Sequence, residues 1–156
     1  MARKLLSRFA VSLLLFPMWL ELKAGEPFTL VIDAGHGGKD PGASGKGFIE
    51  KDQTLALAIA IQKECISKGL RTYLTRRDDR FVPLQNRVAN LQKEDIFISI
   101  HFNASHSKTA EGFEIFTKRN PSPDAKQLQD KLHKNIVNLN SEYGIPDRGK
   151  KSADFY

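Results

Sequence analysis

The chain has 156 residues, 40% of them apolar and 27% charged, with a formal net charge of +6 and one cysteine. That length bounds it to about one domain, large enough to bury roughly 68–70% of its unfolded surface. The composition excludes low-complexity disorder and a disulfide-stapled scaffold, and no basic block with interleaved aromatics marks a dedicated nucleic-acid binder.

At the N-terminus, Arg3, Lys4 and Arg8 precede an apolar stretch from Phe9 to Leu20 that Pro17 interrupts. This is the layout of a secretory signal peptide, and it falls short of the ~20 apolar residues of a spanning helix. Cleavage after Ala24 makes 1–24 the signal and 25–156 the mature chain; an uncleaved membrane anchor is the alternative. Losing 1–24 removes Arg3, Lys4, Arg8, Lys23 and Glu21, so the charge falls from +6 to +3. A mildly basic mature surface suits an anionic polymer.

Phe28–Ile32 is a short β-branched run and predicts a buried strand. The glycine-rich stretch from Asp33 to Glu50 predicts a loop. Lys51–Lys68 predicts a helix with Leu55, Ile59 and Ile66 on its apolar stripe, widened by Leu57, Ala58 and Ile61, and with Gly69 as its C-terminal cap. Cys65 falls on the apolar side and reads as a buried structural thiol. Leu70–Thr75 alternates as a strand. A helix is expected from about Pro83, with Leu84, Val88 and Leu91 on one face. Asp95–His101 and Glu111–Lys118 predict two further strands. Ser122-Pro123-Asp124 is a helix start; that helix runs to about Glu142, places His133 towards solvent, and Gly144 closes it. The stretch "DRGKKSADFY" then leads into a further strand expected to begin near Phe155.

This alternation predicts an α/β fold: a three-layer sandwich around a mixed, mostly parallel sheet with helices on both faces. Such sheets bind ligands beyond the carboxyl ends of their strands. His36 lies past the first strand, His101 at the end of the third, and Glu50 at the start of the first helix, so all three can meet at one sheet edge. Two imidazoles and one carboxylate are the ligand set of an open zinc site. Each also has an ordinary reading: a surface loop histidine, a helix-dipole carboxylate, a histidine capping a strand end. A phosphate cradle fits less well, because "GHGGKDPGASG" lacks the Gly-Lys-Ser/Thr ending of a P-loop and Pro41 breaks the helix start.

The stretch "VIDAGHGGKDPGASGKGFIEKDQTLALA", followed by "TRRDDRFVPLQNRVAN", "DIFISIHFNAS" and "EGFEIF", resembles the zinc-dependent N-acetylmuramoyl-L-alanine amidases. The resemblance covers residues 28–156 and implies an α/β amidase catalytic domain over 25–156. It implies that His36, Glu50 and His101 bind Zn2+, and that the amide between N-acetylmuramic acid and L-alanine in peptidoglycan is hydrolysed in the periplasm or a secreted cell envelope. An activator protein is a further implied partner; nucleic acid and stable membrane insertion after signal cleavage are not. Asp33 is expected to hold the loop or to accept a hydrogen bond from His36. Asn103 is a candidate substrate contact, and Arg76, Asp79 and Arg87 read first as a loop-fixing network. His106 reads as a surface residue.

The family's general-base glutamate sits in a later strand-end segment, expected beyond Tyr156 together with a C-terminal strand and helix. Three explanations stay open: a fragment of a longer enzyme, a catalytically impaired chain that still binds peptidoglycan, or substitution by Glu114.

Overall fold

The computed structural model describes residues 28–45, 47–93, 95–102 and 111–154. The expected signal peptide, Asn103 and His106 lie outside them. The described residues fall into two compact units, 28–102 and 111–154.

In the first unit, β1 (Leu30–Ala34) is the central strand of a three-stranded parallel sheet, between β4 (Thr72–Leu74) and β5 (Ile96–Ile100). Four of its five residues are buried, which suits a strand covered on both faces. The strand runs two residues further than predicted, so Asp33 belongs to it rather than to the loop. Between β1 and α1 (Glu50–Ser67) the loop carries an unpredicted two-residue hairpin, β2 (Ser44–Gly45) against β3 (Phe48–Ile49). Helix α1 packs on β1 and β4.

The core joins Ile32 and Ala34 to Ala58 of α1 and Leu74 of β4, with Leu30, Leu55, Ile61 and Ile100 packed against them. The buried stripe of α1 is Thr54, Ala58 and Cys65, spacings of four and seven that keep one helical face. Cys65 is buried as expected, and burial pushes its thiol pKa up. Ile59 and Ile66, assigned to the packed stripe from sequence, are 44% and 57% exposed; they lie one position off the helical row that meets the sheet. Helix α2 is only Leu84–Val88. Leu84 and Val88 are exposed, and Arg87 is its buried residue, so the expected apolar face is replaced by a polar anchor.

In the second unit, β6 (Phe113–Thr117) pairs in parallel with β7 (Asp147–Ser152), and α3 (Pro123–Glu142) connects them and packs on both; β7 thus starts at Asp147 and not near Phe155 as expected, because its polar residues pair with β6 from Phe113 onwards. Ser122 caps α3 by accepting the Ala125 N–H at 3.2 Å. His133 does not face solvent as predicted: its side chain is 15% exposed and its Nε2 lies 2.9 Å from Asp147 Oδ1. It ties α3 to β7 and stacks near Phe113. Among the described residues, no helix is long and apolar enough to cross a membrane.

Candidate metal centre

Parallel register sets the site. Ala34 of β1 pairs with Ile100 of β5, so His36 and His101 emerge side by side beyond the carboxyl ends of adjacent strands. Glu50 arrives as the first residue of α1, whose N-terminal dipole favours a carboxylate there.

The three side chains converge. His36 Nε2 lies 3.1 Å from Glu50 Oε1, His101 Nδ1 lies 3.2 Å from the same oxygen, and the two nitrogens are 3.2 Å apart. The imidazoles meet edge to face at 82°. Glu50 is almost fully buried, His36 partly so, and the His101 side chain is 44% exposed, which leaves one side of the triangle open.

Glu50 is fixed by the backbone. Its Oε2 accepts the Ala43 N–H at 2.8 Å, and its Oε1 accepts the Phe102 N–H at 2.7 Å. Phe102 is itself pinned edge-on to Phe48 of β3, so the small hairpin supports the carboxylate from both sides. Gly42 gives the room: at φ +64° it sits so close that a β-carbon would come within 2.6 Å of His36 Cδ2 and 2.8 Å of Glu50 Oε2.

His36 occupies the left-handed region at φ 62°, a strained conformation for a residue with a β-carbon. Its carbonyl accepts Arg87 Nη2 at 2.8 Å. The same guanidinium donates to Ala34 O and to Asp33 Oδ1, the latter at 2.7 Å in a pair buried on both sides. Arg76, also buried, donates to the carbonyls of Ala34, Gly35 and Lys51 and to Thr54 Oγ1. Burial, and then the neighbouring Arg87, pull its pKa below the usual arginine range. Asp79 accepts the Gly38 N–H and Lys51 Nζ. Arg76, Asp79 and Arg87 are thus the loop-fixing network expected, built on backbone carbonyls as much as on ion pairs.

Asp33 holds structure only: its oxygens take Arg87, Thr75 Oγ1 and Ser99 Oγ. The carboxylate at His36 is instead Asp40, whose Oδ2 lies 2.9 Å from Nδ1. Asp33 points from a buried strand towards β4 and β5, whereas a tight turn brings Asp40 back to the ring. Burial works against the Asp40 charge, but the hydrogen bonds from His36 and the Gly42 N–H outweigh it and hold the carboxyl below its usual range. Sequence reading missed Asp40; the legible signal was an acid four residues after the loop histidine.

The donor set fits a zinc ion. These residues form the one group among those described with three metal-ligating side chains in reach of one another. A tetrahedral centre over a triangle of this edge lies about 1.9 Å from each corner, near the ~2.0–2.1 Å of Zn–N and Zn–O bonds. Three electron-pair donors this close need a cation or a shared proton between them.

Glu114 is paired within its own unit. Within the second unit it accepts Arg148 Nε at 3.0 Å and Lys151 Nζ at 2.5 Å.

Residues 30–156 match the family model described as N-acetylmuramoyl-L-alanine amidase. The endolysin of Bacillus phage SPP1 is 40% identical over 128 residues, 79% of this chain and 46% of the phage protein. The solved catalytic domain of CwlV, an N-acetylmuramoyl-L-alanine amidase from Bacillus (Paenibacillus) polymyxa var. colistinus, is 35% identical with a TM-score of 0.72, covering 82% of this chain and 71% of that one. The CwlD amidase from Clostridioides difficile, solved in complex with the GerS lipoprotein, is 27% identical with a TM-score of 0.74, covering 83% and 74%. The chain spans less than half the length of the phage endolysin. With most of its length matched by the family model and its fold shared with solved members, the chain belongs to the N-acetylmuramoyl-L-alanine amidase family.

Proposed function

We propose that this chain holds one zinc ion on His36 Nε2, Glu50 Oε1 and His101 Nδ1, and that it hydrolyses the amide between N-acetylmuramic acid and L-alanine in peptidoglycan. The observation that carries the reading is the triangle of three donor atoms 3.1–3.2 Å apart, open on the His101 side. When bound, the ion supplies Lewis-acid polarisation of the scissile carbonyl and lowers the pKa of a bound water to about 7.

The chain's own residues preorganise that site. Glu50 presents one oxygen inward, because the Ala43 N–H occupies the other; a single-point carboxylate leaves room for a fourth position. Arg87 and Arg76 hold the β1–α1 loop carbonyls, so the strained His36 backbone need not be bought again on each substrate encounter. The half-exposed His101 forms the edge along which a glycan-linked peptide enters. Asn103, two residues on in sequence, is proposed as a substrate contact.

The general base is proposed to be the glutamate that the family carries downstream. The Arg148 and Lys151 contacts of Glu114 favour a structural part for that carboxylate. The basic leader over 1–24 supports export to the periplasm or cell surface. A protein partner is part of the reading, on the precedent of the solved CwlD–GerS complex.

Digestion of purified peptidoglycan by the complete protein, with and without a chelator, tests this function. Release of stem peptides carrying free L-alanine amino groups, abolished by the chelator and restored by zinc, is the expected result. Chelator-insensitive release would remove the metal from the mechanism; binding without release would leave a peptidoglycan-binding module.

A further inference from the structure

We propose that Asp40 is the positioning residue that fixes the tautomer and ring plane of His36, so that Nε2 and not Nδ1 faces Glu50 and His101. The inference rests on the zinc reading above and deepens it.

Three features place Asp40. Gly37 and Asp40 close a four-residue turn with two backbone hydrogen bonds, Gly37 N to Asp40 O at 2.9 Å and Asp40 N to Gly37 O at 3.1 Å. The turn brings the carboxylate back under the ring four residues earlier. Its Oδ1 then accepts the Gly42 N–H at 3.2 Å, and its Oδ2 lies 2.9 Å from His36 Nδ1. The carboxylate is therefore held at both oxygens by groups of its own loop.

The ring needs such a partner. His36 sits on a left-handed backbone, and rotation of the ring by half a turn about Cβ–Cγ puts Cε1 in the place of Nε2 and Cδ2 in the place of Nδ1, so that the ring loses both its Asp40 contact and its nitrogen at the cluster. An outer carboxylate that takes the Nδ1 proton selects one ring orientation and raises the donor strength of Nε2; loss of such partners typically weakens metal binding by about 10–100-fold. The Asp40 side chain is 44% exposed, which places the expected effect at the lower end, about tenfold.

The test uses the full chain, labelled with 15N and stripped of metal, at about pH 8.5, above the imidazole range. Long-range 1H–15N spectra read the tautomer, and competition with a chromophoric chelator reads zinc affinity. The proposal expects His36 to carry its proton on Nδ1 in the metal-free wild type. It expects Asp40→Ala to lose that tautomer and to bind zinc about tenfold more weakly. Asp40→Asn, which keeps an acceptor oxygen, should recover most of both. A wild-type proton on Nε2, or Asp40→Ala affinity within about twofold of wild type, overturns it. The wild-type tautomer decides the matter even if Asp40→Ala does not fold. Wild type that binds no zinc overturns the metal reading itself, a result distinguishable from a failure confined to the Asp40 variants.

Discussion

Gly35 lies directly beneath the His101 imidazole: a β-carbon at position 35 would come within 2.4 Å of Cε1, 2.6 Å of Nε2 and 2.7 Å of Nδ1. The residue before His36 thereby limits where the His101 ring can sit.

Gly35→Ala should therefore displace the His101 ring. Because that ring is half-exposed, it can swing towards water, so the fold should survive with a stability loss of about 1–2 kcal/mol. Zinc affinity should fall by more than about tenfold. Thermal melting of the metal-free variant, set against chelator competition, separates the two effects.

Glu50→Gln keeps the shape but replaces one acceptor oxygen with an NH2 group. Both carboxylate oxygens accept backbone N–H groups, from Ala43 and Phe102, so one of these must then face a donor. A buried unsatisfied donor costs about 1–3 kcal/mol. The variant should be measurably less stable by denaturant unfolding even without metal, and should retain little zinc.

Arg87→Met removes a guanidinium that serves Asp33, Ala34 O, His36 O and Val82 O. Breaking a buried ion pair from one side costs about 3–5 kcal/mol. Arg87→Lys should recover only part of that, since a single ammonium cannot reproduce the fork. Urea unfolding midpoints of the three proteins give the comparison.

Acid should unfold the protein through carboxylates whose pKa values the fold depresses. Lys51 and the Gly38 N–H hold Asp79 low; Gln92 and Thr29 do so for Asp95, Lys150 for Asp130, and Gly149 with His133 for Asp147. A depressed carboxyl contributes stability that is complete above its unfolded value of about 3.9 and is lost as pH falls through the folded value. Melting temperature should thus be insensitive to these groups from neutral pH to about 5 and fall below about 4. A melting temperature that rises on acidification through pH 4 would contradict this sign.

The meeting of His36 and His101 was legible because strand-end positions follow from topology. Once β1 and β5 were read as parallel strands, His36 and His101 had to share an edge. Helix faces were less legible. In α1 the apolar residues outnumber those that touch the sheet, so Ile59 and Ile66 looked as core-like as Ala58. Of the two readings of Asp33, holding the loop is the one the structure bears out; the contact to His36 goes to Asp40, one residue further from the ring in sequence, because of the Gly37–Asp40 turn, which chain position does not reveal. His133 was read as exposed because its partner, Asp147, arrives from a strand fourteen residues away.

The central claim is that His36, Glu50 and His101 together hold one zinc ion. Its most direct test is metal content after dialysis against limiting zinc, for the wild type and His101→Ala in parallel, with circular dichroism confirming that both are folded. The account predicts about one zinc per wild-type chain and close to none for the variant. Equal zinc in both folded proteins would contradict it.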